Sequence, residues 1–129
     1  MMVKDEEKNL ARCLDSLLPV IQKGLAELII VDTGSTDRTV EIATRYTDKV
    51  FFHPWNDNFS EMRNITISYA RGEWIFIIDA DEELEHPEDL IKLLEQGNLQ
   101  SFNTVRIREK NFLDSQMQRF VTHTQERLF

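Results

Sequence analysis

The sequence is poor in cysteine and in long apolar runs. Cys13 is the one cysteine among 129 residues, so an internal disulfide is excluded, which fits a reducing compartment. No basic segment followed by an apolar stretch opens the chain, and we therefore predict no secretory signal. The longest apolar runs contain a handful of residues, far fewer than the roughly 20 that a membrane helix needs. We expect a cytoplasmic protein without a transmembrane segment, and association with a membrane surface stays an open alternative.

Positive charge and phosphate-binding glycine motifs are also scarce. The chain has 15 lysines and arginines against 23 aspartates and glutamates, a formal net charge of -8. This balance argues against nucleic acid as a partner, and it repels an anionic small ligand unless a cation or a local arginine offsets the field. Neither G-x-G-x-x-G nor G-K-[ST] occurs, so a dinucleotide or P-loop site has no support. The length and the lack of repeats or linkers predict a single domain over residues 1–129.

Short apolar runs alternate along the chain with segments whose apolar residues recur at helical spacing. The runs at 1–3, 27–31, 49–52, 74–78 and 104–107 predict strands. Apolar residues at helical spacing predict helices over 9–21, at Val40, Ala43 and Tyr46, over 59–70, and from Pro87 to a stop at Gly97. The tail from Asn111 is polar and indicates no clear element. The alternation predicts an α/β fold with a mostly parallel sheet and helices on both of its faces.

Carboxylates collect where three of the predicted strands end. Lys4-Asp5-Glu6 follows the first strand, Asp32 follows the second, and Asp79-Ala80-Asp81 follows the fourth. Ligands of open parallel sheets bind outside the carboxyl ends of the strands. The sequence therefore predicts a site at this edge.

The spacing of Asp79 and Asp81 suggests a cation. Residues i and i+2 of an extended chain point to the same side, so the two carboxylates would repel each other unless a cation sat near. Mg²⁺ typically takes one or two protein carboxylates and completes its shell with water and phosphate. Such an ion would let a diphosphate approach an acidic domain. The alternative is that both aspartates only end a strand and cap the next segment.

Asp32 opens a turn that also has two interpretations. Gly34 permits a tight turn, and Ser35 or Thr36 could cap the following helix. Asp32 itself could accept hydrogen bonds from a ribose hydroxyl or a base N–H.

Three other protein classes are alternatives for a site of this kind, and the sequence argues against two of them. A sugar-phosphate nucleotidyltransferase would need a glycine-rich basic loop after the first strand, and KDEE is acidic and lacks glycine. A receiver domain would need a lysine after a late strand, and Lys110 follows one only loosely. A non-catalytic binding or interaction module that keeps the fold stays open.

Four segments together resemble the family 2 glycosyltransferases, which have the GT-A fold. They are VKDEEKNLARCLDSL, IIVDTGSTDRTVEIA, WNDNFSEMRN and GEWIFIIDADEE, in the family's order. The resemblance implies a UDP- or GDP-linked sugar as donor, Mg²⁺ or Mn²⁺ as cofactor, and transfer with inversion to an unknown acceptor.

The resemblance also implies roles for individual residues. Nucleotide binding would fall to Lys4, Glu6, Asp32, Arg63 and Asp79, and metal binding to Asp81 with Asp79. The catalytic base is unknown and is expected outside this chain.

Departures from the family pattern limit these expectations. Asp5 stands where asparagine is common, and Glu61-Met62 stand where small residues are usual. Members normally have a longer first strand, central to the sheet, and a second half that supplies the acceptor site. We therefore expect a donor domain that is incomplete at both ends, inactive in transfer by itself, and able to self-associate through its sheet.

Overall fold

Alternating strands and helices build most of the chain, and an antiparallel hairpin comes after them. The structure is a computed structural model that describes residues 1–96, 98–114 and 116–129. The strands are β1 Met2–Val3, β2 Ile30–Asp32, β3 Val50–Phe52, β4 Val105–Phe112 and β5 Phe120–Leu128. The helices are α1 Leu10–Gln22, α2 Thr39–Ala43, α3 Phe59–Ser68 and α4 Pro87–Glu95, with a 3-10 helix at Asn98–Ser101. The predicted helix stop at Gly97 lies outside the described residues.

The first three strands form a parallel sheet in the order β1-β2-β3. Met2 pairs with Val31, and Ile30 pairs with Val50. Ile30 and Val31 point to opposite faces of β2, and neither is exposed, so both faces of the central strand are covered. The predicted α/β class with a parallel sheet is confirmed. The expectation of a central first strand is wrong for the described sheet, because β1 lies at its edge.

Helix α1 supplies much of the core. Leu10, Cys13, Leu14 and Leu17 recur at helical spacing and are all buried. They pack in one core cluster with Val3 of β1, with Leu28 and Ile30 in and before β2, and with Ile78. The helix ends before Gly24, whose φ of 70° is the left-handed conformation that glycine adopts without strain. The N–H of Gly24 donates to the carbonyl of Ile21 at 2.9 Å.

The predicted strand over 74–78 does not form a regular strand. Its backbone pairs antiparallel with the end of β5: Ile75 exchanges two hydrogen bonds with Phe129, and the N–H of Ile77 donates to Arg127 at 2.8 Å. An apolar cavity of about 410 Å³ lies between this segment and the start of the chain. With only two residues, β1 offers a short free edge, and the segment takes its backbone partners from the end of β5 instead.

Strands β4 and β5 form a hairpin that the polar tail did not predict. The predicted strand at 104–107 is present but runs on to Phe112 and pairs antiparallel with Phe120–Leu128. Asp114 organises the turn, because its carboxylate accepts from the N–H groups of Gln118 and Arg119, both at 3.0 Å. Among the described helices, none is long and apolar enough to cross a membrane.

Candidate functional site

A cleft of about 450 Å³ opens at the carboxyl ends of β1 and β2. It is lined by Met2, Val3, Lys4, Glu6, Thr33, Trp55, Phe59, Asp79, Ala80 and Asp81. Four of the six predicted site residues, Lys4, Glu6, Asp79 and Asp81, therefore meet in one place. The other two, Asp32 and Arg63, are not among the lining residues.

A tight turn over residues 79–82, here called the acidic turn, contributes Asp79, Ala80 and Asp81 to the lining of the cleft. The N–H of Glu82 donates to the carbonyl of Asp79 at 3.1 Å. In return, the N–H of Asp79 donates to the Glu82 carboxylate at 2.8 Å. The expectation of an extended chain through Asp79 and Asp81 is wrong, because Ala80 and Asp81 occupy the centre of this turn. The two carboxylates reach the cleft through a turn and not through strand alternation.

Helix α1 supports the acidic turn from below. The Cys13 thiol donates to the carbonyl of Asp79 at 3.4 Å, and the Ser16 hydroxyl accepts from the N–H of Leu84 at 3.0 Å. Burial raises the pKa of the Cys13 thiol to about 12. A thiol with such a pKa stays protonated at neutral pH and serves as a packing and hydrogen-bonding group, not as a nucleophile.

Two arginines compensate the charge of Asp79. Arg63 on α3 lies 3.6 Å from Oδ1, and Arg127 on β5 lies 3.5 Å from Oδ2. Both distances are too long for good hydrogen bonds but short enough for ion pairs. The Asp79 carboxylate is thus held between cations that approach its two oxygens separately.

Asp81 is in a different situation. Its side chain is exposed at the cleft, and within the described residues it makes no hydrogen bond or ion pair. No group of three or more histidine, cysteine, aspartate or glutamate side chains is arranged to hold a metal in the part of the chain that the structure describes. One free carboxylate beside a second fits a hard cation that completes its shell with water and phosphate, and does not fit a closed protein cage.

Asp32 is nearly buried, with 4% of its surface exposed. Its carboxylate accepts from the N–H of Gly34 at 3.1 Å and from the N–H of Ser35 at 3.2 Å. Gly34 has a φ of 114°, a conformation that side chains rarely adopt, so the turn needs glycine there. Helix α2 begins at Thr39, whose N–H donates to the Asp37 carboxylate at 2.9 Å. The predicted capping by Ser35 or Thr36 is therefore wrong.

Replacing Asp32 separates its observed role in the turn from its predicted contact with the nucleotide. We expect Asp32→Ala to lower the free energy of unfolding by about 1–2 kcal/mol, because two backbone N–H groups lose their acceptor. Asp32→Asn keeps one acceptor oxygen and should lose about half of that. Urea unfolding of both variants measures this. A fall in nucleotide affinity in Asp32→Asn beyond what its small stability loss explains would support direct nucleotide contact, whereas full stability in Asp32→Ala would contradict the turn contacts.

Hydrogen bonds join the loop after β1 to the loop after β2. The N–H of Asp5 donates to the Ser35 hydroxyl at 2.9 Å, and the Asp5 carboxylate accepts from the N–H of Thr36 at 2.7 Å. Asp5 has a φ of 53°, which aspartate and asparagine tolerate better than most residues. Aspartate therefore fits at the position where the family commonly has asparagine. The lock fixes the neighbouring Lys4 and Glu6 at the rim of the cleft.

Aromatic residues form one wall of the cleft. The rings of Trp55 and Phe59 meet edge to face at 6.2 Å, and the Arg63 guanidinium lies 5.2 Å from the centre of the Phe59 ring. The backbone N–H of Trp55 donates to the Thr33 carbonyl at 3.2 Å, which ties this wall to the end of β2. A planar base could lie against these rings, and Arg63 is placed between the wall and Asp79.

Sequence reasoning missed one group of residues next to the site. Arg127 reaches Glu82 at 2.5 Å and Glu109 at 2.6 Å, in addition to Asp79. Burial alone would lower the pKa of Arg127, but Glu109, Glu82 and Asp79 outweigh it and raise the pKa. Arg127 lies 45 residues from Glu82 in the sequence, so no local sequence pattern predicts that the two side chains pair. Only the antiparallel pairing of residues 75–77 with 127–129 brings them together.

Comparison with known proteins gives the family. The family model described as glycosyl transferase family 2 matches residues 1–129. A TPR repeat-containing protein of Synechococcus elongatus is 43% identical over 108 residues, which are 82% of this chain and 26% of that protein. The glycosyltransferase SunS of Bacillus subtilis is 37% identical over 83 residues, 63% of this chain and 19% of that protein. The chain thus spans about a quarter or less of the length of these relatives.

Solved structures share the fold. Staphylococcus aureus TarS superposes with a TM-score of 0.65 at 24% identity, over 81% of this chain and 32% of that chain. The glucosyl-3-phosphoglycerate synthase of Mycobacterium tuberculosis has a TM-score of 0.59 at 25% identity, over 73% of this chain and 37% of that chain. The family model covers the whole chain and the fold agrees with it, so this protein belongs to glycosyl transferase family 2 and has the GT-A fold.

Proposed function

We propose that the chain is the donor domain of a longer glycosyltransferase. In this proposal it binds a nucleotide-diphosphate sugar through Mg²⁺ or Mn²⁺, and the whole protein transfers the sugar to an acceptor with inversion. The observation that carries the proposal is the exposed Asp81 carboxylate, which has no protein partner among the described residues and faces a cleft at the strand ends. An unpaired carboxylate beside Asp79 raises the local negative potential, which a bound cation would relieve.

We assign the following roles to the residues in and beside the cleft. Asp81 would bind the metal, and Asp79 would face the ribose or share the metal. Lys4 is exposed at the rim, where its ammonium can reach a phosphate, and Glu6 lies beside it. Two residues beside the cleft lining complete the assignment. The Arg63 guanidinium would lie near the base or the diphosphate. Asp32 would accept a hydrogen bond from the nucleoside with the lone pairs that Gly34 and Ser35 leave free.

The chemistry divides between this chain and the rest of the protein. When bound, the metal would act as a Lewis acid that stabilises the departing diphosphate. Lys4 would add positive charge near the diphosphate, on which negative charge develops as its bond to the sugar breaks. A carboxylate base must take the proton of the acceptor hydroxyl. We place this base and the acceptor site outside residues 1–129.

The test is calorimetric titration of the 129-residue chain with UDP and with GDP, in Mn²⁺ and in EDTA. UDP is the first choice because TarS, whose fold this chain shares, has been crystallised with UDP. We expect binding that weakens by about a hundredfold or more in EDTA, since the cation offsets the acidic field and its ligands are each worth a large part of the affinity. UMP is the matched control: it lacks the second phosphate, so its affinity should depend much less on the metal. Equal UDP affinity with and without metal would contradict the proposed metal, and no binding would contradict the donor site.

A further inference from the structure

Among the lysine and arginine side chains that form ion pairs in the described residues, Arg127 is the least exposed. Only 12% of it is exposed, and it faces three carboxylates. Its Nε lies 2.6 Å from Glu109, its Nη2 lies 2.5 Å from Glu82, and its Nη1 lies 3.5 Å from Asp79. Each nitrogen of the guanidinium thus serves a different carboxylate. A lysine ammonium is a single point and could not reach all three in this geometry.

The position of Arg127 is fixed by backbone pairing and by apolar packing. Its carbonyl accepts from the N–H of Ile77, two residues before Asp79. The next residue, Leu128, is 2% exposed and packs in a core cluster with Val20 and Leu90. The end of β5 is therefore anchored against the segment that leads into the acidic turn, and Arg127 cannot move away from the turn unless the hairpin undocks.

The charges around Arg127 show what its position does for the acidic turn. Asp79, Glu82 and Glu109 gather around one point, and like charges this close repel each other strongly in a partly buried setting. Glu82 in turn accepts from the N–H of Asp79 at 2.8 Å and closes the acidic turn. Arg63 would still pair with Asp79 if Arg127 were removed, but it makes no ion pair with Glu82. Repulsion would then drive Glu82 from Asp79, and the turn would lose this hydrogen bond. Removing one member of an enclosed ion group leaves the others uncompensated, which is far costlier than losing a surface pair.

We propose that Arg127 is a positioning residue: it holds Glu82 and Asp79 in the acidic turn, so that Asp81 faces the cleft and metal-dependent nucleotide binding requires the β4–β5 hairpin to be docked. The part that concerns the nucleotide rests on the proposed function. The part that concerns the turn stands on the contacts of Arg127 alone.

The first experiment needs no ligand. Within residues 79–83, amide hydrogen exchange of the two hydrogen-bonded N–H groups, those of Asp79 and Glu82, should be at least about tenfold faster in Arg127→Gln than in the parent chain, because the turn opens more often. Residues 30–32 of the central strand should exchange at the parent rate. Arg106→Gln is the matched control, since Arg106 lies on the same hairpin in an exposed pair with Glu126 at 3.3 Å. Unchanged exchange over 79–83 in Arg127→Gln would overturn the proposal. If Arg127→Gln fails to fold, Arg127→Lys gives the same test, with a smaller increase expected because the charge is retained.

The second experiment distinguishes positioning from general loss of structure. We expect Arg127→Gln and Glu82→Gln each to weaken Mn²⁺-dependent UDP binding by about tenfold. Arg127→Lys should recover part of the loss. If Arg127 acts through Glu82, the double variant binds about as well as either single variant, whereas independent effects would multiply to about a hundredfold. Multiplied losses would overturn the proposal. If the parent chain does not bind UDP at all, the proposed function fails, and the exchange experiment alone decides the role of Arg127.

Discussion

Asp81→Asn is expected to weaken Mn²⁺-dependent UDP binding by about a hundredfold or more, since even the partners that orient metal ligands are each worth roughly 10–100-fold. The amide keeps the size of the side chain but removes the charge that a hard cation needs. Asp79 cannot substitute fully, because Arg63 and Arg127 already compensate its carboxylate. Calorimetric titration with UDP in Mn²⁺ measures the loss, and the residual affinity in EDTA should match that of the parent chain.

The same substitution should leave the fold intact. Asp81 is exposed, makes no contact with a cation in the described part of the chain, and sits beside Asp79, Glu82 and Glu83. Removing a like charge from this cluster relieves repulsion, so the melting temperature should stay the same or rise. Asp89→Asn on α4 is the matched control, because Asp89 is also exposed and pairs only loosely with Lys92, at 3.8 Å. Equal UDP affinity in Asp81→Asn and Asp89→Asn would contradict the metal-binding role of Asp81.

The helices and the central strand could be predicted from sequence because their signals are local. In α1, Leu10, Cys13, Leu14 and Leu17 mark the buried stripe, and the observed helix begins one residue later than predicted. In β2, the apolar run of 27–31 ends at Asp32, as expected for a strand covered on both faces. The fold class follows from the order of such elements, and no knowledge of long-range contacts was needed for it.

Pairing partners could not be predicted in the same way. The segment 74–78 is apolar enough for a strand, but a strand is defined by the neighbour that takes its hydrogen bonds. Here that neighbour is the segment 127–129, which belongs to a tail whose polar sequence carried no strand signal. The position of Arg127 depends on this pairing and was missed for the same reason.

The candidate site was predicted in its location but not in its geometry. Asp79 and Asp81 do line the cleft at the carboxyl ends of β1 and β2, together with Lys4 and Glu6. The i, i+2 argument assumed an extended chain, whereas the hydrogen bonds between Asp79 and Glu82 close a turn. Side-chain carboxylates that bond to nearby backbone N–H groups compete with extended structure, and both Glu82 and Asp32 do so here.

Leu14→Ala should have the largest effect on stability among these substitutions. Leu14 is fully buried on α1, in the core cluster that also contains Ile30 of β2 and Ile78 before the acidic turn. Truncation removes buried methyl groups and leaves a cavity, which typically lowers the free energy of unfolding by about 2–5 kcal/mol. Because small domains are stable by only about 5–15 kcal/mol, such a loss is a large fraction of the whole. The midpoint and slope of urea unfolding measure it.

Leu113→Ala is the matched control for this truncation. The side chain of Leu113 lies next to the turn of the β4–β5 hairpin and is 57% exposed, so its removal should change stability by no more than about 0.5 kcal/mol. The two variants also test whether α1 supports the cleft. Cys13, the neighbour of Leu14 on α1, donates to the Asp79 carbonyl in the acidic turn. If α1 holds the acidic turn in place, Leu14→Ala should weaken UDP binding even under conditions where the variant is still folded. A variant with parent stability would mean that α1 does not pack against the sheet in this way.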